Sequence, residues 1–151
     1  MITIEEFKKK QLNTSRLIGL DLGSKRIGVA ICDENQKIAT PLKTINKSKF
    51  EDLINELEDI IKENNIKGII IGNPINMDGS LGKSSQSVND VSKAISKEID
   101  LPISLWDERL STVGAFKLTE NLGINLTKRE KNIDKNAAAF ILQGAIDFIN
   151  N

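Results

Sequence analysis

The sequence predicts an α/β fold: one mixed five-stranded sheet, an antiparallel β-meander followed by parallel strands, flanked by helices. Two short β-branched runs, Arg16–Asp21 (RLIGLD) and Ile27–Cys32 (IGVAIC), are separated by a segment containing Gly23 and Ser24, which predicts a hairpin. The run Gly68–Gly72 (GIIIG) has no polar alternation, as a central parallel strand covered on both faces requires. After the meander, strand-type and helix-type patterns alternate to the end of the chain, which calls for helices packed on a sheet.

Taken in order, residues 1–15 read as a polar lead-in: lysines follow the few apolar residues, and no small-residue cleavage site is present, so this is not a secretory signal. The third strand, Lys37–Ile45, follows the turn Asp33-Glu34-Asn35, and Pro41 assigns it to a sheet edge. Ser48 and Glu51 stand in capping-box spacing ahead of Phe50, Leu53, Ile54, Leu57, Ile60 and Ile61, which recur at helical intervals up to Asn64. A second helix is expected over Ser84–Ile99, with Val88, Val91, Ile95 and Ile99 on one face, followed by a strand at Leu101–Trp106. Ser111 caps a predicted helix through Leu122 that Gly123 terminates. A polar, basic loop then runs to Ile133, and Asn136–Ile149 reads as the closing helix. The 151 residues fit one domain, expected at 16–151. Strands one, four and five would be parallel neighbours, and ligands bind at the C-terminal edge of such strands.

The 21 basic and 21 acidic side chains balance, so contact with nucleic acid must use a local patch. Absence of histidine and tyrosine excludes His-based triads, His zinc ligands and imidazole bases. The single cysteine, Cys32, cannot form an internal disulfide and reads as a buried strand residue, which suits the cytoplasm. No run approaches the roughly 18 apolar residues of a membrane helix.

Three acidic residues occupy equivalent junctions: Asp21 ends the first strand, Glu108 follows the fifth, and Asp134 stands just before the closing helix. Each has a plain alternative. Asp21 serves equally as a turn residue, Glu108 as a solvated loop charge, and Asp134 as an N-cap. For Asp21 the sheet changes the balance, because a charge between Leu20 and Leu22 on a central strand is costly unless something pairs with it. Hard divalent cations suit clustered oxygen ligands, and in phosphodiester hydrolysis they activate a water and stabilise the leaving oxygen, which replaces the missing base.

LIGLDLGSKRIGVAI, ATPLKTI, IIIGNPINMDGSLGKSS, WDERLST and KNIDKNAAAFILQ, in that order, resemble the successive motifs of the YqgF (RuvX) family over residues 16–149. The resemblance implies a ribonuclease H-like fold, kinship with the RuvC Holliday-junction resolvases, and processing of the 5′ end of pre-16S rRNA. It places the family's acidic metal-binding positions on Asp21, Glu108 and Asp134, with Mg²⁺ or Mn²⁺ as cofactor. The lead-in departs from the family's usual abrupt start.

Around these positions, Lys25 and Arg26 put positive charge where a phosphate backbone would pass, or form a solvated hairpin tip. Asn73 and Asn76, in a Gly/Asn/Pro/Ser-rich loop, are candidates for holding phosphate oxygens. Gly82-Lys83-Ser84 imitates the end of a P-loop, but Met77 occupies the required glycine position and excludes one. By resemblance Arg109 belongs to the site, either neutralising phosphate or orienting carboxylates. Lys128, Arg129 and Lys131, with Lys135, form a basic cluster around Asp134 that is either a phosphate contact or a solvated loop.

The reading is a metal-dependent endonuclease acting on structured nucleic acid. Its expected partners are pre-16S rRNA or branched DNA and ribosomal particles, with no membrane, as monomer or homodimer. The alternatives are a Holliday-junction-type DNA resolvase and a non-catalytic nucleic-acid-binding factor in transcription. A sugar-kinase or actin-type phosphotransferase fails on size, since such proteins enclose ATP between two such domains.

Overall fold

The computed structural model describes residues 1–12, 14–76, 78–110 and 126–151, with side chains of the last segment from Asn136 onward. Among these residues the strands β1 (Arg16–Leu22), β2 (Arg26–Cys32), β3 (Ala39–Asn46), β4 (Ile66–Asn73) and β5 (Ile103–Asp107) form one sheet in the order β3-β2-β1-β4-β5. β1 is antiparallel to β2 and β2 to β3, whereas β1–β4 and β4–β5 are parallel. The mixed sheet expected from the sequence is therefore present. Pro41 sits on the edge strand, where its missing N–H costs no ladder bond.

The helices are α1 (Ile4–Lys9), α2 (Phe50–Asn64), α3 (Lys83–Glu98) and α4 (Leu126–Ile149). Alternation along each strand supplies two apolar layers. Ile18 and Leu20 of β1 with Ile69 and Ile71 of β4 face Leu53, Leu57, Val88 and Ile95 of α2 and α3. Leu17 and Ile70 face Phe7 of α1 and Ala138, Ile141, Leu142 and Ile146 of α4. β4 buries side chains on both faces, which explains its unbroken apolar run. The helix–sheet approach is close at Gly19, where a Cβ would stand 2.7 Å from Leu142 Cβ and 3.0 Å from the Ala138 carbonyl oxygen.

Several local expectations are corrected. The capping box of α2 does not form: Lys49 is the N-cap without a side-chain bond, and Ser48 Oγ instead donates to Asp52 Oδ2 at 3.3 Å. β3 begins at Ala39 rather than Lys37, because Asp33 Oδ1 accepts the N–H groups of both Lys37 and Ile38 at 2.8 Å and withdraws them from the ladder. The closing helix begins at Leu126, ten residues before Asn136, so the expected basic loop is helical over 126–133 and Asp134 is not an N-cap. Lys, Arg, Glu and Leu are good helix formers, and a helix anchored by its packed half at 137–149 extends through them at little cost. The helix expected from Ser111 to Leu122 lies outside the described residues.

The first fifteen residues hold a docked helix. Thr3 caps α1 by accepting the Glu6 N–H, and Phe7 is fully buried against Gly68 and Leu17. The Ile2 N–H donates to the Ile103 carbonyl at 2.9 Å, so the lead-in covers the edge of β5. Gln36, buried in the β2–β3 turn, gathers three segments: its Nε2 donates to the carbonyls of Leu12 and Ser15, and its Oε1 accepts from Asn150. Lys8 donates to the Asn151 carbonyl at 2.6 Å and lies 5.2 Å from the centroid of the Phe148 ring. No helix among the described residues is long and apolar enough to cross a membrane.

Candidate active site

The C-terminal ends of β1, β4 and β5 lie side by side, and Asp21 and Glu108 stand at that edge. Asp21 is the sixth residue of β1 and pairs with Gly28 across the hairpin. By strand alternation it faces the α4 side, as Leu17 and Gly19 do. One register step beyond Leu20↔Ile71 brings Asp21 beside Gly72, which itself pairs with Trp106 of β5. Glu108 follows β5 directly and opens a 3₁₀ turn, Glu108–Leu110.

Gly72 shapes the space between these two acids. A Cβ on it would stand 2.5 Å from Ile141 Cδ1 and 3.4 Å from the Glu108 carboxyl carbon. The bare backbone thus lets the Ile141 side chain seat directly on β4, with the Glu108 carboxyl beside it. Asp134 lies in α4, one helical turn before Ala138, whose carbonyl oxygen borders Gly19. Among the described side chains no three acidic or sulfur ligands form a cluster. Asp21 and Glu108 nevertheless offer hard oxygen donors at the same sheet edge, and that donor chemistry fits a divalent cation.

The hairpin tip depends on a close backbone approach. The Gly23 N–H donates to the Arg26 carbonyl at 3.0 Å, and a Cβ on Gly23 would lie 2.4 Å from that oxygen. Lys25 is exposed at this tip, and Arg26 begins β2 opposite Asn46 of β3.

Asn73 ends β4 buried, with its Oδ1 accepting from Ser85 Oγ at 2.6 Å, which ties β4 to the first turn of α3. Asn76 shapes its own loop: its Nδ2 donates to Ser80 Oγ at 3.0 Å, and its carbonyl accepts the Gly79 N–H at 2.8 Å. Lys128, Arg129 and Lys131 occupy the first turns of α4.

Arg109 is held by Asp107, which sequence reasoning missed. Its Nη2 donates to Asp107 Oδ2 at 2.7 Å and its Nε to Oδ1 at 3.1 Å, while its backbone N–H donates to Oδ1 at 3.0 Å. The only trace in the sequence is the i, i+2 spacing. Asp78 adds a second attraction, and a Cβ on Gly79 would lie 3.7 Å from Arg109 Nη1, so the β4–α3 loop arches over the guanidinium.

The hydrogen bond from Arg109 holds the Asp107 carboxyl below the ordinary carboxylate value. A carboxylate whose pKa is depressed in the folded state stabilises the fold above its unfolded pKa of about 3.9 and loses that contribution as pH falls. Melting curves from pH 7 to 2.5 are therefore expected to show a shallower acid decline below about pH 4 for Asp107→Asn than for the parent. The difference should be modest, since both partners touch solvent. An equally steep decline in the variant would show that the pair contributes nothing to stability.

Residues 15–148 match the family model RuvX, described as Holliday junction resolvase. The chain is also 72% identical, over the full length of both sequences, to a Pelagibacter ubique protein named "Putative pre-16S rRNA nuclease". The chain belongs to the RuvX family. A Ruegeria pomeroyi RuvX relative carrying the same name is 44% identical over 99% of this chain and 97% of its own.

Solved structures relate this RuvX chain to the RuvC fold. Thermus thermophilus RuvC in complex with Holliday junction substrate superposes with a TM-score of 0.54 at 11% identity, over 87% of this chain and 93% of that one. The yeast mitochondrial Holliday junction resolvase Ydc2 gives a TM-score of 0.53 at 14% identity, over 97% and 84% of the two chains. The RuvX fold is thus the ribonuclease H-like fold of these resolvases.

Proposed function

We propose that this RuvX protein is a divalent-metal-dependent endonuclease that cuts phosphodiester bonds in structured RNA, acting in the cytoplasm on the 5′ end of pre-16S rRNA. The observation that carries the reading is that Asp21 and Glu108 both stand at the C-terminal edge of the parallel strands, on either side of Gly72 at the end of β4. The names of the curated relatives support RNA as the substrate.

In this reading Asp21, Glu108 and Asp134 together hold Mg²⁺ or Mn²⁺. When bound, such cations supply the Lewis acidity that activates water and stabilises the leaving oxygen. The chain supplies position and charge. Lys25 and Arg26 at the hairpin tip, and Lys128, Arg129 and Lys131 at the start of α4, draw the phosphate backbone toward the carboxylates. Arg109, oriented by Asp107, presents the rest of its guanidinium toward the β4–α3 loop, where Asn73 and Asn76 fix the backbone over which the substrate would run.

Incubation of purified protein with end-labelled pre-16S rRNA, linear RNA and four-way DNA junctions in Mg²⁺, Mn²⁺ or EDTA tests the proposal. Metal-dependent cutting of the precursor is expected. The second reading, favoured by the RuvC-like fold, is resolution of branched DNA, and cleavage confined to junctions would replace the first with it. Binding without cleavage of any substrate would leave a non-catalytic factor.

Neutralising two of Lys128, Arg129 and Lys131 is expected to weaken binding to all sequences alike. It should also flatten the slope of log affinity against log salt by about one to two units. An unchanged slope would remove these residues from the interface.

A further inference from the structure

A cavity of about 680 Å³ opens where the β1–β2 hairpin, the end of β3, the first turns of α2 and the middle of α3 meet. It lies on the α2–α3 face of the sheet, opposite α4. Its apolar wall is Leu22, Ile27, Ile45, Phe50, Leu53 and Val91. Phe50, the first residue of α2, is 39% exposed there and presents an aromatic ring that the fold leaves partly uncovered.

The rim of this cavity is cationic. Lys47 and Lys49 line it, and the Lys47 N–H donates to the Lys25 carbonyl at 2.9 Å, which sets the hairpin-tip lysine beside them. The acidic wall residues are engaged: Glu56 Oε1 lies 3.7 Å from Lys43 Nζ, and Asp52 accepts from Ser48.

We propose that this cavity receives one unstacked base of a single-stranded RNA segment. The ring packs on Phe50, and the flanking phosphates lie along Lys25, Lys47 and Lys49. Charge complementarity selects this occupant: a partly exposed aromatic wall inside a lysine rim matches a flat ring carried on a polyanion, whereas an apolar protein segment would leave the lysines unpaired. The volume falls within the range of ligand pockets, about 300–1,000 Å³. Continuity with the candidate active site supplies the path, since the wall residues Leu22 and Gly23 directly follow Asp21. A strand crossing the hairpin tip therefore reaches the carboxylates on one face and this cavity on the other.

The inference rests on the nuclease reading for its choice of polymer, so the test separates the two by measuring binding in EDTA, where no cutting is expected. Full-length parent, Phe50→Ala, Phe50→Trp and Ser87→Trp, the last filling the cavity from α3, are titrated against a fluorescently labelled twelve-nucleotide RNA of about that length, chosen without secondary structure, by anisotropy. Phe50→Ala and Ser87→Trp should each weaken binding about tenfold at unchanged melting midpoint, and Phe50→Trp should bind at least as tightly as the parent. Lys47→Ala and Lys49→Ala should each lower the salt slope by about one unit or less.

Parental affinity in Phe50→Ala and Ser87→Trp, or a parent that fails to bind the RNA, overturns the proposal. So does loss of a parental dimer in Phe50→Ala by sedimentation with RNA affinity intact, which would assign the cavity to a second copy of the chain. Failure of metal-dependent cleavage with this binding pattern preserved would overturn the nuclease reading alone.

Discussion

Asp21→Asn is expected to lower metal-dependent cleavage by more than about a hundredfold, a loss larger than that of removing a group behind a metal ligand, with circular dichroism and RNA affinity close to the parent. The change keeps the shape of the side chain and removes one negative charge from the edge shared with Glu108 and Gly72. Stability carries an independent readout. A cation that binds only the folded state raises the unfolding free energy by about 2.7 kcal/mol when its free concentration is a hundred times its dissociation constant. The parent should therefore melt higher in Mn²⁺ than in EDTA, and Asp21→Asn should lose most of that gain. Cleavage at the parental rate, or a parent indifferent to metal in melting curves, would return Asp21 to the role of a strand-end turn residue.

Phe7→Ala is expected to destabilise the protein by about 3–5 kcal/mol, the range for deleting a fully buried phenylalanine. The ring is inaccessible to solvent and packs directly over Gly68 of β4, where a Cβ would meet it at 2.5 Å, and against Leu17 of β1. The loss should appear as a lower urea midpoint with little change in slope. Removing residues 1–9 altogether should do at least as much, because it also uncovers the β5 edge that the Ile2 N–H occupies. A loss below about 1 kcal/mol would mean that α1 merely rests on the sheet.

Much of the fold was legible because burial writes itself into short-range pattern. The run GIIIG announced β4, covered on both faces; Pro41 marked β3 as an edge; and the spacing Leu53, Ile54, Leu57, Ile60 marked α2. The C-terminal edge where the parallel strands end followed from the strand order, and Asp21 and Glu108 stand at that edge. Where the sequence carries no apolar stripe the pattern misled. The start of α4 carries no apolar stripe to read, so the polar run from Leu126 looked like a loop although its residues favour helix.

The sequence by itself determined the order of the strands, which strands lie in the centre, and where the candidate acids fall along the chain, because each depends on residues a few positions apart. Only the tertiary structure decided the rest. It set Phe7 over Gly68, joined Leu12, Ser15 and Asn150 through Gln36, turned Arg109 onto Asp107, and seated Ile141 on Gly72 beside Glu108. Most of these pair groups distant in sequence, and their partners are chosen by the space that packing leaves and by the need of each buried polar group for a hydrogen bond. Neither is recorded in the residues adjoining them.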